Sequence, residues 1–378
     1  LGKIRVNIFQ YMNNFFYNFI IFRTDRLGDF IIHSRPIYEL KIKYPNSHIT
    51  VVCSNLNKRI ISKYSFIDEV IIHNKKDKFF IKFKNFLKII KKKYYAAFII
   101  DGKKFSHLCN VFIRSKNKLG LVYTSQKKIF MFKYWINKPF HFYNLIFFNK
   151  YEVFTSKNSL VRSENLCQKY INLFKNFNIK KIKTSTKYIF ETNKICEENY
   201  RKIVDMLNYK DYLLIHFDEK WIDINGIDKH LIKSIENFQI DTGKKIILTA
   251  YNNKFNYYKN LKKYFNYIDC SKELDFSKTS SYKSQIIILD NLELFLFERF
   301  IKYSIASISC HSGFIAQVAG ANNSTIIDII NQKDKIWYDC WKPKNTIHYF
   351  LYKSKLEHKV DLNEIFFKIK KIINIIRT

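Results

Sequence analysis

Apolar residues in this chain come in short unbroken runs set between helical repeats, which predicts buried strands joined by helices. The run Phe15 to Phe22 (FFYNFIIF) is apolar and aromatic without polar alternation, as in a strand covered on both faces. Arg23-Thr24-Asp25-Arg26-Leu27-Gly28-Asp29 then breaks it with charge and a glycine. An amphipathic segment and a second strand, His48 to Ser54, complete a β-loop-α-β unit. Residues 79 to 93 space Phe, Leu and Ile at helical intervals with lysines between, read either as a helix with a solvated basic face or as one lying on a membrane surface. A short strand, Ala96 to Ile100, ends in Asp101-Gly102, so its end should open onto the same edge as Asp29. The chain turns polar from about 150 to 205, before the helical pattern of residues 194 to 207, which places a domain boundary near residue 190. Strands follow at Asp211 to His216, Lys245 to Ala250, Ile286 to Leu289 and Ser324 to Ile330, with helices between, the pattern of a second parallel sheet. A last helix is expected over Leu362 to Ile376.

Length fits this plan, because 378 residues are long for one core and natural for two domains. With 47% hydrophobic and 17% aromatic residues the chain can bury plenty of surface, which excludes a disordered or fibrous protein. The formal charge of +34 points to phosphate-rich or other anionic partners. The abundant Lys, Asn, Ile, Phe and Tyr are all residues of A/T-rich codons, however, so part of that charge reflects mutational drift. The lysines are spread along the chain, and no zinc-finger spacing, basic-zipper heptad or RNP-type motif accompanies them, so no specific nucleic acid is expected. A basic surface that holds the protein near anionic lipid or an anionic acceptor is the alternative to charge that does nothing specific. Seven cysteines, an odd number without a C-x-x-C pair, suggest neither a disulfide framework nor a zinc site. The N-terminal stretch carries Asn and Gln and no clean leader core, and no run of 18 apolar residues occurs. A cytoplasmic location follows as an expectation, with peripheral contact at the inner face of the membrane.

Two constellations carry candidate chemistry. Asp29 stands just beyond the C-terminal end of a buried strand, where open α/β sheets carry out reactions; the plain reading of Gly28-Asp29 is a turn plus a helix cap. The second is Ala306 to Ala321, read as strand, small polar turn and small-residue helix. A helix beginning at Ser312-Gly313 would turn unpaired N–H groups toward a phosphate, or the small residues would serve only as a tight packing joint. His311 would then bond a phosphate or pair with a backbone carbonyl. Lys220 lies in a charged loop, Phe217 to Trp221, at another strand end. Lys103, Lys104 and Arg114 are candidates for an anionic acceptor or simply solvated.

The first constellation, with Pro36, Tyr44-Pro45, the strand Ile49 to Cys53 and the run Phe66 to Ile71, resembles the N-terminal signature of glycosyltransferase family 9, the ADP-heptose:lipopolysaccharide heptosyltransferases. Lys118-Leu119-Gly120 resembles a later glycine-bearing segment of that family, and Asp290-Asn291-Leu292-Glu293 the segment before its nucleotide loop. Residues 311 to 316 resemble that D-[ST]-G-x-x-H loop with two departures, His311 for Asp and Ala316 for His; Asn331-Gln332-Lys333 stands in place of a G-P-T turn. The resemblance implies an α/β GT-B fold: two Rossmann-like parallel-sheet domains facing a central cleft. Residues 1–190 would bind acceptor, 191–360 would bind the nucleotide sugar, and the C-terminal helix, 361–378, would pack back on the first domain. It implies inverting transfer of a heptose-like sugar from a nucleoside diphosphate, ADP-heptose first, to a lipopolysaccharide-core or related anionic glycan. Asp29 would be the general base. Lys220, His311, Ser312, Gly313, Thr249 and Gly28 would contact the donor, and Arg23, Arg26, Lys103, Lys104 and Arg114 the acceptor. No cofactor and no metal are expected, in keeping with the lack of a D-x-D triplet. The alternatives are a divergent nucleotide-binding relative with altered or lost transfer, and a basic nucleic-acid or membrane-surface binding protein.

Overall fold

The computed structural model describes residues 17–124, 147–155, 166–175, 177, 194–250, 255–271, 284–343, 346–355 and 358–376. The chain divides into two units between Thr184 and Ser185. The boundary expected near residue 190 lies outside the described residues.

The first unit holds a six-stranded sheet of β1 (Asn18–Arg23), β2 (His48–Cys53), β3 (Glu69–Ile72), β4 (Lys93–Ile99), β5 (Arg114–Thr124) and β6 (Lys150–Thr155). Its order is 3-2-1-4-5-6 and every pairing is parallel. Phe19 to Phe22 are fully buried, as their unbroken apolar run requires of a central strand. The helices are α1 (Leu27–Lys43), α2 (Asn55–Ile61), α3 (Phe79–Lys91), α4 (Lys104–Phe112) and α5 (Leu166–Lys175). Helix α1 starts within four residues of β1 because Asp29, in its first turn, accepts the Arg26 N–H at 3.2 Å. The plain reading of this aspartate as a cap is thus correct for one of its oxygens.

The second unit holds an eight-stranded sheet of β7 (Tyr212–Phe217), β8 (Lys245–Ala250), β9 (Tyr267–Asp269), β10 (Ile286–Asp290), β11 (Ala306–Ser309), β12 (Thr325–Asn331), β13 (His348–Lys355) and β14 (His358–Lys359). The order is 14-13-12-11-7-8-10-9, parallel except for the β13–β14 pair. Its helices are α6 (Lys194–Leu207), α7 (Ile227–Thr242), α8 (Asn256–Tyr264), α9 (Leu294–Tyr303), α10 (Gly313–Asn322), α11 (Lys335–Trp341) and α12 (Leu362–Ile376). The C-terminal helix is α12. Its apolar face, Leu362, Ile365, Phe366, Ile369, Ile372 and Ile373, joins the core of the second unit together with Leu231, Ile235 and Phe238 of α7. An apolar stripe of that width is satisfied by a neighbouring helix of the same layer. Asn363 fixes the pairing through a 2.7 Å bond from the Ser234 hydroxyl.

Helix α10 owes its seat to a glycine. A Cβ on Gly320 would stand 2.2 Å from Cβ and 2.3 Å from Cγ of Pro343, a rigid ring that cannot swing aside. Gly320→Ala should therefore lower stability even though alanine favours helices. Overpacking costs about 1–3 kcal/mol, against a gain of at most ~1 kcal/mol from propensity. A urea midpoint that did not fall would show that the Pro343 contact is loose.

Candidate functional site

In the first unit the chain leaves β1 toward β2 and β3 and returns on the other side as β4, so the strand order reverses between β1 and β4. At such a reversal the loops beyond the strand ends diverge and leave a crevice. Arg23 ends β1 there, Thr24, Asp25 and Asp29 follow it, and Asp101, Gly102 and Lys103 follow β4. The sequence expectation that both strands open on one edge is met: Asp101 Oδ2 accepts from Thr24 Oγ1 at 2.6 Å, from Thr24 N at 3.2 Å and from Ser106 Oγ at 2.8 Å.

Arg23 has no exposed surface. Its Nη1 donates to the Ile100 carbonyl at 2.8 Å and lies 3.0 Å from Asp25 Oδ2, and its Nε donates to the Asp29 carbonyl at 3.2 Å. Nη2 is 3.6 Å from Asp29 Oδ1, and the guanidinium sits over the Tyr170 ring. Burial pushes the Asp29 carboxyl above its ordinary value; Arg23 opposes this and Asp25 adds to it. Its side chain nonetheless keeps 24% exposure, so a proton acceptor of raised basicity faces solvent at the crevice. The His33 imidazole, pushed well down by burial and then by Arg23, is neutral; its Nδ1 donates to the Asp29 carbonyl at 2.6 Å. That bond places the proton on Nδ1.

Other residues expected at this site fall differently. Arg26 is exposed at the start of α1, Lys104 is exposed at the start of α4, and Lys103 Nζ reaches Asp25 Oδ1 at 3.0 Å. Gly28 is buried in the first turn of α1. Arg23, expected to meet an acceptor, has no surface to offer one and acts as the organiser of the carboxylates. Arg114 pairs with Lys93 at the start of β4 and donates to the Lys91 carbonyl. It stands at the opposite edge of the sheet, level with Lys93 and so roughly 26 Å along the chain direction from Asp101.

The second unit has its reversal between β7 and β11. Lys220, beyond β7, donates from Nζ to the His311 carbonyl at 2.6 Å, so the loops after these two strands meet. Beneath it, the buried Lys353 donates to the Lys220 carbonyl at 2.6 Å and to Asp223 Oδ2 at 2.8 Å. His311 takes a left-handed backbone, φ 54°, which turns the chain into α10. Ser312 occupies the N-cap position of that helix without a cap bond from its side chain, and its N–H donates to Ser309 Oγ at 3.2 Å. The amides of Gly313 to Ile315 precede the first helical bond, from Ala316 N–H to the Ser312 carbonyl. Thr249 stands opposite His216 across β7 and β8, its hydroxyl 2.9 Å from His216 Nδ1. Lys220, His311, Ser312 and Gly313 are thus brought together, with Thr249 one strand away.

Sequence reading missed what holds this loop. Asp328, fully buried in β12, lies 2.9 Å from His311 Nδ1, 2.8 Å from His348 Nε2 and 3.2 Å from Ser309 Oγ. Burial would raise its carboxyl, but the two imidazoles overcome that and hold it well below the usual carboxylate range. The signal was present as a lone carboxylate inside the apolar run Thr325-Ile-Ile-Asp328-Ile-Ile330. Among the described residues, no group of three or more His, Cys, Asp or Glu side chains is placed to hold a metal ion.

Comparison with known proteins agrees with this architecture. No family model matches the chain, and no curated protein matches it. Among solved structures, the chain is similar to a glycosyl transferase family 9 protein from Veillonella parvula, at 13% identity and TM-score 0.66, covering 95% of this chain and 97% of that one. It is similar to the E. coli heptosyltransferase WaaC with ADP-2-deoxy-2-fluoro heptose, at 13% identity, TM-score 0.60, and 94% and 99% coverage. The E. coli ADP-heptose lps heptosyltransferase II gives 11% identity, TM-score 0.61, and 96% and 100% coverage. The chain has the GT-B fold of these proteins.

His216 generates a pH dependence. Burial, and then the Lys220 charge, lower its imidazole to about 3, whereas in the unfolded chain it titrates near ~6.5. Below that value the unfolded state takes up a proton that the folded state refuses. Stability should therefore fall with falling pH by up to ~1.4 kcal/mol per pH unit from this group. His216→Gln should flatten the thermal midpoint between roughly pH 6.5 and 5, and an unchanged slope would assign the dependence to other groups.

Proposed function

We propose that this chain is a glycosyltransferase of family 9 type. It moves a heptose-like sugar from a nucleoside diphosphate, with ADP-heptose the leading candidate, to a hydroxyl of a lipopolysaccharide-core or related anionic glycan. The observation that carries the proposal is Asp29, a carboxylate of raised pKa that keeps solvent access at the strand-order reversal of the first sheet. The fold likeness supports the reaction class, and the nucleotide of the similar E. coli structures, ADP or ADP-2-deoxy-2-fluoro heptose, supports the donor.

The reaction is a single displacement. The acceptor O–H bond breaks as its proton passes to Asp29, the acceptor oxygen bonds the anomeric carbon, and the bond from that carbon to the diphosphate oxygen breaks with inversion. Asp29 Oδ2 accepts the Arg26 amide and Oδ1 stands 3.6 Å from Arg23 Nη2, beyond hydrogen-bond reach, so Oδ1 takes the proton. In the second unit Lys220 and the first amides of α10 take the charge of the departing diphosphate, a role that fixed donors perform without reorganisation. His311 departs from the family pattern, and its bond to Asp328 favours a second reading, a relative with an altered donor.

A thermal-shift panel of ADP, UDP, GDP, CMP and single-stranded DNA separates these readings. Ligand at 100 times its dissociation constant adds about 2.7 kcal/mol. ADP should shift the protein saturably, a preference for another nucleotide would favour the altered donor, and salt-resistant binding of DNA alone would overturn both. Asp29→Asn should cut turnover by about 10²–10⁴ with the ADP shift retained, and wild-type turnover should fall as acid protonates this base. Full activity in Asp29→Asn would remove it from the mechanism. Lys220→Met should weaken ADP binding about tenfold or more, and turnover should survive EDTA.

A further inference from the structure

The first turn of α3 is built unlike any surface the chemistry above uses. Phe79 is 73% exposed, Phe80 81%, Ile81 49% and Phe83 46%. Single exposed apolar residues are ordinary, but here four occupy one helix tip. Residues 79, 80 and 81 point in three directions around the axis, so the tip protrudes and does not line a groove. Phe79 packs on Phe80 and Phe83, with ring centroids 6.0 Å apart in each case, which makes one aromatic knob of them.

Its surroundings are cationic. Lys75, Lys76 and Lys78 precede the tip, Lys82 and Lys84 follow within it, and the helix FFIKFKNFLKIIK contains no acid. The nearest carboxylate in the chain, Asp77, is half-exposed and is held by Asn74, which donates to it from its backbone at 2.8 Å and from its side chain at 3.2 Å; one acid stands against the five lysines. Among the described residues Lys75, Lys76, Lys78 and Lys84 enter no ion pair, whereas Lys88 and Lys92 farther along are held by Glu69.

Topology fixes which edge of the unit carries this knob. Helix α3 follows β3 in an all-parallel sheet, so its first turn lies at the carboxyl edge. His73, just after β3, stacks on Phe105 of α4 at 3.6 Å between centroids. Two residues before Phe105, Lys103 holds Asp25. The knob and Asp29 therefore belong to the same edge of the first unit.

We propose that the first turn of α3 inserts into the headgroup region of an anionic bilayer, with its lysines on lipid phosphates. At 13 residues α3 is about 20 Å long, too short to cross a bilayer, and an aromatic tip ringed by lysines is the form that settles at the interface. Single-stranded nucleic acid also meets aromatics and lysines, but in grooves whose rings are spaced for successive bases; a compact knob that includes an isoleucine suits acyl chains better. The membrane surface stands whether or not the glycosyltransferase reading holds; where it does, the bilayer lies on the same edge of the unit as Asp29.

The test is flotation of the full chain with vesicles of phosphatidylglycerol and phosphatidylcholine, against vesicles of phosphatidylcholine alone. Wild type should float with the anionic vesicles and fail to float with the neutral ones. Phe79→Ser/Phe80→Ser should reduce partitioning about tenfold or more, and Lys78→Gln and Lys84→Gln about fivefold each. All variants should keep the wild-type thermal midpoint, since none of these side chains is buried. No flotation of wild type, equal flotation of the double Phe variant, or displacement from vesicles by single-stranded DNA would each overturn the proposal. An ADP shift measured on the same samples keeps the two readings apart: its absence with Phe-dependent flotation intact removes the glycosyltransferase and leaves the membrane surface standing.

Discussion

The first unit depends on one buried cation. A guanidinium without solvent is costly unless acceptors surround it, and Arg23 has them in the Ile100 and Asp29 carbonyls and the Asp25 carboxylate. Those acceptors come from the end of β4, the first turn of α1 and the loop between, so satisfying one side chain fixes three pieces of backbone. The turn that presents Asp29 is therefore set from below by charge. Its geometry does not rely on a loop's own preferences, which is the condition for a carboxylate to be held in place while partly wet.

The second unit solves the same problem with other residues. Lys353, itself buried, donates to the Lys220 carbonyl, and Asp328 bridges His311 and His348 from inside β12. In both units a residue that meets solvent at the strand ends rests on an ionic group with no exposure of its own. Such groups do little for net stability compared with apolar packing, but they penalise every alternative arrangement that would leave them unpaired.

Much of this was legible in the residues. Unbroken apolar runs gave β1, β7, β8 and β12 to within a residue or a few, and the start of α10 was read at Ser312-Gly313, where small polar residues precede a small-residue helix. Strand β5 and the edge strands were not legible: Arg114 to Thr124 mixes lysine, asparagine and glycine, and becomes a strand only because β4 lies beside it. The same blindness to partners misplaced Arg114, since a strand's end and its start look alike until the neighbouring strand is known; Arg23 was placed at the right strand end, but its burial was not legible. Asp29 was found because it follows a strand closely. Asp328 was passed over because a strand hides which of its neighbours will carry the matching charge.

The sheets end in fragments. Strand β3 has four residues, β9 three and β14 two. A border that short offers an incoming chain too few open amides and carbonyls to nucleate pairing. Among the described borders the longer ones are β6, with six residues, and the stretch of β13 that the two-residue β14 leaves uncovered, since β14 pairs only with Ser354 and Lys355. Crowded copies of this aromatic-rich protein thus meet blunt ends at β3 and β9, and fibrous growth would have to start from β6 or β13.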